Sequence, residues 1–270
     1  MHLLRRTVRV NVLPPGSPAG AKNPYAGFPT MTAMGAFYAF EVAIKGQPDA
    51  DTGYLRDIKV VDRSVRETIV PAIIAAFGQP QTNPAALLVG TLPALDRALT
   101  GGLHSVRWHL SPYYSLEVFM PSVAGPSASA ARVLIREKFD FAAAHRLHVP
   151  ALSDEANRAT FGKCNNPSGH GHNYQFEPCV SVPMDALATG FSVATLERLA
   201  DEVILERFDH KHLNEDTTEF DPRRGGVNPS VENIAAVFFN LLAPRIAAAG
   251  ATLEHLTVWE TDRTSATYPA

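Results

Sequence analysis

The sequence predicts an α+β protein built from two copies of one unit, each running strand, strand, helix, helix, strand, strand. Three observations carry this reading. Stretches of period-two alternation and stretches of helical periodicity follow one another in that order twice along the chain. Between the two series lies 121–131, Pro-Ser-Val-Ala-Gly-Pro-Ser-Ala-Ser-Ala-Ala, small and flexible enough to be a linker. Short sequences also recur. Gly53-Tyr54 opens the helical part of the first half as Gly190-Phe191 does in the second, and the only two tryptophans sit in Val106-Arg107-Trp108-His109 and Thr257-Val258-Trp259-Glu260. The expected division is therefore 1–120, a linker over 121–131, and 132–270.

In the first half, Thr7 to Leu13 alternates and is rich in valine, which predicts a strand, and the Pro-, Gly- and Ala-dense run Pro14 to Pro29 predicts a loop. Tyr38 to Ile44 alternates again, and Gly46 to Gly53 supplies a turn. Apolar residues recur at helical spacing from Ile58 to Phe77, with Pro71 a candidate kink, and a second helix is expected over Pro84 to Leu99. Ser105 to Met120 holds two strands broken near Ser111-Pro112. In the second half, Val133 to Phe141 and Gly171 to Val182 read as strands around a long loop, Ala151 to Ser168. Ser192 caps a helix reaching Phe208. Pro229 and the cap Ser230, with Glu232 in the first turn, open another helix to Ala249, and Leu256 to Glu260 closes as a strand.

With 270 residues, 46% of them hydrophobic, the chain can bury one large or two small cores. A net charge of −3 and a pI near 6.4 give no reason to expect a nucleic-acid or membrane-surface partner. Two cysteines, Cys164 and Cys179, do not make a disulfide framework and suit a reducing compartment. Met1 to Arg6 lacks the apolar core of a signal peptide, and no run approaches the ~20 apolar residues of a membrane span. A cytoplasmic protein is expected.

The chemistry concentrates in Phe161 to Tyr174, which contains Cys164 and the triplet His170-Gly171-His172. Residues i and i+2 of a strand point to the same face, so both imidazoles can converge on one point. His145, ending Phe141-Ala142-Ala143-Ala144-His145, is a candidate third ligand, and three histidines leave one position of a tetrahedral zinc open, the catalytic pattern. Taken alone, such a triplet is equally an ordinary surface or core sequence. Cys164 lies six residues before His170 in a loop able to bring its thiol to the histidines, whereas Cys179 reads as an inert core residue. Asp209-His210 follows a helix end, where it is either a solvated cap or an oriented acid–base pair. Glu260, at a strand end, suits a ligand with adjacent N–H donors.

From about Val133 to Tyr268 the sequence resembles the 6-pyruvoyltetrahydropterin synthase/6-carboxytetrahydropterin synthase family. Five blocks in the family's order carry the resemblance: Phe141 to Leu147, Phe161 to Tyr174, Phe208 to Asn214, Pro229 to Ala235, and Trp259-Glu260-Thr261. The resemblance implies the T-fold, in which β-β-α-α-β-β units form antiparallel sheets with helices on one face and close a barrel on oligomerisation. It implies Zn²⁺ on His145, His170 and His172, Cys164 as catalytic base, and Asp209 with His210 as its partners. Glu260 corresponds to the glutamate that anchors the pterin, and Glu232 to a second glutamate of the pterin pocket. The family substrate is 7,8-dihydroneopterin triphosphate, and Lys163, Arg146 and Lys211 are near enough in sequence to neutralise the phosphates. The spacing Cys-x5-His-x-His resembles the pyruvoyl-forming members, with the 6-carboxy former of the queuosine pathway as the alternative.

Single-unit members have about half this length. The first half holds only His2, His104 and His109 of the ten histidines and no cysteine, and His109 stands where Glu260 predicts a glutamate. It reads as a degenerate copy without a metal site. In the family the Asp-His pair comes from a neighbouring subunit, which implies a homo-oligomer with active sites between subunits. A non-catalytic zinc- or pterin-binding protein would need the histidines and Glu260 but not Cys164, Asp209 and His210. A zinc hydrolase would want a carboxylate base, and no His-Glu-x-x-His is present.

Overall fold

The alternation Val8, Val10, Val12 puts three valines on one face of β1 (His2–Val12), and β2 (Ala36–Gly46) answers in antiparallel register, with Val8 opposite Phe40. The computed structural model describes all residues except 15, 18–19, 21–24, 78, 80–81, 121–131 and 185–189, so the expected linker lies outside the described residues. The chain forms two compact units, one containing Met1–Leu134 and the other Ile135–Val182 with Thr189–Ala270.

In the first unit β3 (Leu103–His109) pairs with β2 and β4 (Tyr114–Phe119) with β3, all antiparallel. Phe40, Trp108 and Leu116 stand in one cross-strand row on the apolar face. Helices α1 (Ile58–Ala76) and α2 (Pro84–Ala98) bury Val61, Val65 and Ile69, and Leu88, Leu92 and Leu95, in this core. Each helix starts where a side chain satisfies its first free N–H groups: Asp57 accepts from the Lys59 N–H, and Asn83 from those of Ala85 and Ala86. α1 runs on through Pro71 to Ala76. The opposite sheet face is polar. Glu41, Arg107 and Glu117 lie in one row, and Glu117 accepts from the Ser105 hydroxyl at 2.8 Å.

The second unit likewise places helices between its first strands and a closing strand pair. The strand expected over Val133–Phe141 is two, β5 (Arg132–Glu137) and β6 (Phe139–His145), interrupted at Lys138, whose ammonium lies 4.3 Å from the Trp259 ring centroid. β7 (His170–Pro183) pairs antiparallel with β6, and β9 (Thr252–Thr261) takes the other edge of β7. β10 (Thr264–Tyr268) folds back on β9, and the two-residue β8 (Lys211–His212), followed by the short α6 (Leu213–Asp216), adds in parallel to β6.

Two details differ from the hydropathy reading. The loop expected over Ala151–Ser168 contains α3 (Asp154–Phe161), nucleated by the cap Ser153, whose hydroxyl accepts from the Ala156 N–H. The helix expected from Ser192 to Phe208 is α4 (Val193–Ala200), a π turn over Asp201–Leu205, and the short α5 (Glu206–Phe208). Such wide turns shift the helix phase and gather at functional positions, and this one is separated from Asp209 only by α5.

The core of this unit is aromatic. Phe238 of α7 (Val231–Ala248) meets Phe141, Phe176 and Phe208 at centroid distances of 5.3, 5.6 and 4.9 Å, and Tyr174 stacks on Phe141 at 4.8 Å. α7 is, by length and composition, apolar enough to cross a membrane, contrary to the expectation that no segment comes close. Here Val231, Ile234, Ala235, Phe238, Leu242 and Ile246, spaced as one helical face, are buried in the unit.

Candidate metal centre and its catalytic surroundings

β6 ends and β7 begins at the same level of the sheet, and this register builds the site. His145, the last residue of β6, stands opposite His170, the first of β7, while His172 lies opposite Ala143. The pleat then turns all three imidazoles to one face, beyond the Phe141–Tyr174 stack. One ligand nitrogen from each lies within 4.8 Å of the others.

The histidines are set in the form a metal needs. His145 is fully buried, and its Nδ1–H donates to the Pro229 carbonyl at 2.7 Å, with the Tyr174 hydroxyl at 3.3 Å from the same nitrogen. That fixes the tautomer and leaves a lone pair on Nε2. Burial, helped by the neighbouring His170, His172 and His212, pushes the His145 imidazolium down to about 4 against the opposing pull of the Pro229 carbonyl. Burial and His172 likewise lower His170. The Nε2 atoms of His145 and His170 face each other at 3.2 Å, and His172 Nε2 is buried without a hydrogen-bond partner. Three imidazole nitrogens turned inward, one of them orphaned, fit a bound cation.

Glu260, near the end of β9, brings Oε1 to 3.5 Å from His145 Nε2 and 3.6 Å from His172 Nε2. The carboxylate expected to meet a ligand therefore also touches the histidine cluster.

Cys164 is half-buried in a 3-10 turn (Gly162–Asn165) after α3. The turn is pinned to the residues that follow His145. Leu147 N–H donates to the Cys164 carbonyl at 2.8 Å, and the buried Asn165 amide donates to the Leu147 carbonyl at 2.7 Å. The thiol is close enough for its charge, after burial and Glu260, to help raise the Tyr174 phenol. A second turn delivers His170. Asn166 bonds both backbone groups of Gly169, at 2.9 and 3.1 Å, and Gly169 has φ +69°. A Cβ at Gly169 would sit 2.5 Å from His212 Nε2 and 3.0 Å from the His145 carbonyl.

Asp209 and His210 follow α5. Asp209 accepts from the Ala142 N–H with one oxygen and from His210 Nδ1 with the other, both at 2.8 Å. Burial works to raise its carboxyl, but these two bonds and the His210 charge outweigh it and hold the group below its ordinary range. His210 is exposed, with φ +56°, and shares a groove with His172, Lys211 and His212 along Ala142–Ala144.

Of the residues marked in the sequence, His145, His170, His172 and Glu260 are thus brought into contact. Cys164 is held by its turn to the residues that follow His145, and His210 lines a groove together with His172. Glu232 is exposed on the first turn of α7 and makes no ion pair with any of the histidines. Among the cations, Arg146 spends its Nε on the Asn165 carbonyl, while Lys211 lines the groove. The sequence reading missed the Pro229 carbonyl, Tyr174, Asn165 and His212. Only His212 had a visible signal, as the second histidine of Asp209-His210-Lys211-His212.

The model of the family described as 6-pyruvoyl tetrahydropterin synthase matches residues 134–270, half of the chain. The chain belongs to this family. Human 6-pyruvoyl tetrahydrobiopterin synthase is 37% identical over 136 residues, 50% of this chain and 89% of the human one. The putative synthase of Caenorhabditis elegans is 37% identical over 139 residues, covering 50% and 94%. The solved structure of a Caenorhabditis elegans family member has 33% identity and a TM-score of 0.45, covering 51% of this chain and 94% of that one. Every residue of the histidine, cysteine and Asp-His constellation falls inside the family segment.

Proposed function

We propose that the chain is a 6-pyruvoyltetrahydropterin synthase, converting 7,8-dihydroneopterin triphosphate to 6-pyruvoyltetrahydropterin with elimination of triphosphate. The observation that carries this is the convergence of His145, His170 and His172 beside a pinned Cys164, within the segment that belongs to the family. The metal is Zn²⁺, held by the three histidines, and when bound it supplies Lewis-acid polarisation of the substrate's side-chain oxygens.

The protein's own groups do the rest. Glu260 holds the pterin through its adjacent N–H donors, a paired arrangement that fixes the ring's orientation. The Cys164 thiolate removes a proton from the side-chain carbon. His210, oriented through Nδ1 by Asp209, keeps Nε2 free to carry protons during the tautomerisation. The side chain is oxidised at the expense of the pterin ring, so no external oxidant is required, and triphosphate leaves. Lys211, on the wall of the groove, is placed to offset phosphate charge.

On this reading both units are T-folds, since in each the first strands are followed by helices and then by a closing strand pair. The first lacks the site: β1 ends in Val12 and β2 begins at Ala36, where the second unit has His145 and His170. The chain acts as a cytoplasmic homo-oligomer whose barrels close between subunits, with His210 presented to a neighbour. Incubation of zinc-loaded protein with 7,8-dihydroneopterin triphosphate, with products read by mass, tests the assignment. Triphosphate and a 6-pyruvoyl product are expected, both lost in Cys164→Ala while zinc is retained. A 6-carboxy product, or saturable binding without turnover, would overturn it.

A further inference from the structure

The chain carries a formal charge of −3, yet one groove of the first unit gathers cations. It encloses about 400 Å3 and is walled by Arg6 and Arg9 of β1, by Tyr25, and by Lys59, Asp62 and Arg66 of α1. Arg6 and Asp62 neutralise each other through two parallel bonds of 2.8 Å, which occupy both carboxylate oxygens. Arg66 approaches Asp62 only to 4.0 Å. Among the described residues Arg9 and Lys59 therefore have no carboxylate partner, and Arg66 only shares Asp62, at long range, with Arg6.

The two guanidinium groups are also held in place. The Arg9 guanidinium lies 4.6 Å from the centroid of the Tyr25 ring and donates to the Tyr25 carbonyl at 3.1 Å. The Arg66 guanidinium lies 5.3 Å from the Phe28 centroid, and its Nε is buried without a hydrogen-bond partner. Lys59 stands in the first turn of α1, where no acidic residue is present and where the helix dipole opposes a cation. The Asp57 cap is spent on the backbone N–H of Lys59 at 2.9 Å. Two guanidinium planes fixed by aromatic faces, with an ammonium at a helix start, form a donor set that lacks its acceptor.

We propose that this groove is an anion site for a phosphate-bearing small molecule, with Arg9, Lys59 and Arg66 binding phosphate oxygens and Tyr25 at the rim. Forked guanidinium donors match the oxygen spacing of phosphate, and the volume suits a small ligand rather than a protein segment. Its residues all belong to the first unit, and none of them is a residue of the metal centre. It does not depend on the proposed reaction.

The test is calorimetric titration of the full chain with inorganic triphosphate and with ATP, in phosphate-free buffer at low and high salt. His145→Ala serves as the reference for binding near the metal centre. In a variant carrying Arg9→Ala and Lys59→Glu, one binding event per chain should vanish or weaken by about tenfold or more, and the wild-type event should weaken with salt. Lys59→Gln alone, at a side chain without an ion pair, should give a smaller loss with an unchanged melting curve and guards against misfolding of the double variant. Equal binding of both probes means the phosphates alone are recognised. Tighter binding of ATP that is lost in Tyr25→Ala means an organic phosphate. Identical affinity and stoichiometry in wild type and variants, or no event beyond the metal centre, would overturn the proposal.

Discussion

The Nε2 atoms of His145 and His170 lie 3.2 Å apart while Nδ1 of His145 is committed to the Pro229 carbonyl. With Nδ1 protonated, His145 turns a lone pair toward a neighbour that offers the same type of atom. His172 adds a third nitrogen, buried and unpartnered. A cation between them removes the repulsion and the orphaned acceptor together, and its binding becomes folding free energy.

Metal binding should therefore be visible in stability. Zinc at about a hundred times its dissociation constant stabilises by about 2.7 kcal/mol, so chelation should lower the melting temperature reversibly. His170→Ala should hold almost no metal and should not respond to the chelator. A wild-type melt indifferent to zinc and chelator, with no metal in the purified protein, would remove the centre from the account.

Gly169 is where the site is least tolerant of a side chain. Its φ of +69° disfavours any other residue, and an added Cβ would press on His212 and on the carbonyl of His145. Gly169→Ala should cost on the order of 1–3 kcal/mol and weaken zinc binding, because His170 is the next residue. Denaturant unfolding and a competitive zinc titration measure the two effects. A variant as stable and as tight-binding as wild type would show that the turn can relax.

His210 holds a left-handed conformation, φ +56°, on an exposed side chain. A residue with a Cβ is strained there, and the strain is retained at a position given a chemical role. His210→Gly should raise the melting temperature by about 2–4 °C, corresponding to about 1 kcal/mol, while lowering turnover about a hundredfold or more. A variant that melts below wild type would mean that the side chain stabilises more than its backbone costs.

The parts legible in the sequence are those with side-chain periodicity. Val8, Val10 and Val12 announced β1, and the i, i+2 spacing of His170 and His172 announced their shared face. α3 escaped because Asn157 is its only buried residue, so an apolar stripe was absent. β10, Thr264–Tyr268, escaped because most of it is exposed and it is held by pairing with β9. β1 starts at His2 rather than Thr7 because its first residues are paired along their backbone while their side chains stay largely in solvent. The Pro229 carbonyl that orients His145 is a backbone group, and any residue would have supplied it.

Glu137 makes stability depend on pH. Burial first, then the charge of Glu197 and a hydrogen bond with it, push the Glu137 carboxyl up to about 7. In the unfolded chain it titrates near the ordinary 4.3. The folded state thus holds a proton that the unfolded state releases, and the resulting stability is full below the lower value and lost as pH rises through about 7. Allowing for solvent screening of a half-exposed group, the effect is about 1 kcal/mol. Glu137→Gln should melt with a flatter profile between acid and mildly alkaline pH and should be the more stable protein above neutrality. Parallel profiles would place the proton elsewhere.

The exposure of His210 decides how the active site is assembled. Its side chain is 82% exposed, although it shares a groove with His172 of the same chain. If the Asp209–His210 pair serves a neighbouring subunit, inactive Cys164→Ala chains can supply His210 to inactive His210→Ala chains, which in turn supply Cys164. Random mixing in a symmetric assembly then restores about a quarter of wild-type activity, since each site needs one intact residue from each kind of chain. If the pair serves its own chain, no mixture regains activity. The two chains should be unfolded and refolded together, with mixed assemblies verified by native mass spectrometry, so that a silent mixture reports on the site and not on slow exchange. A chain carrying both substitutions, mixed with either single variant, should remain inactive in both cases. Recovery with the single variants alone therefore assigns His210 to the neighbouring subunit.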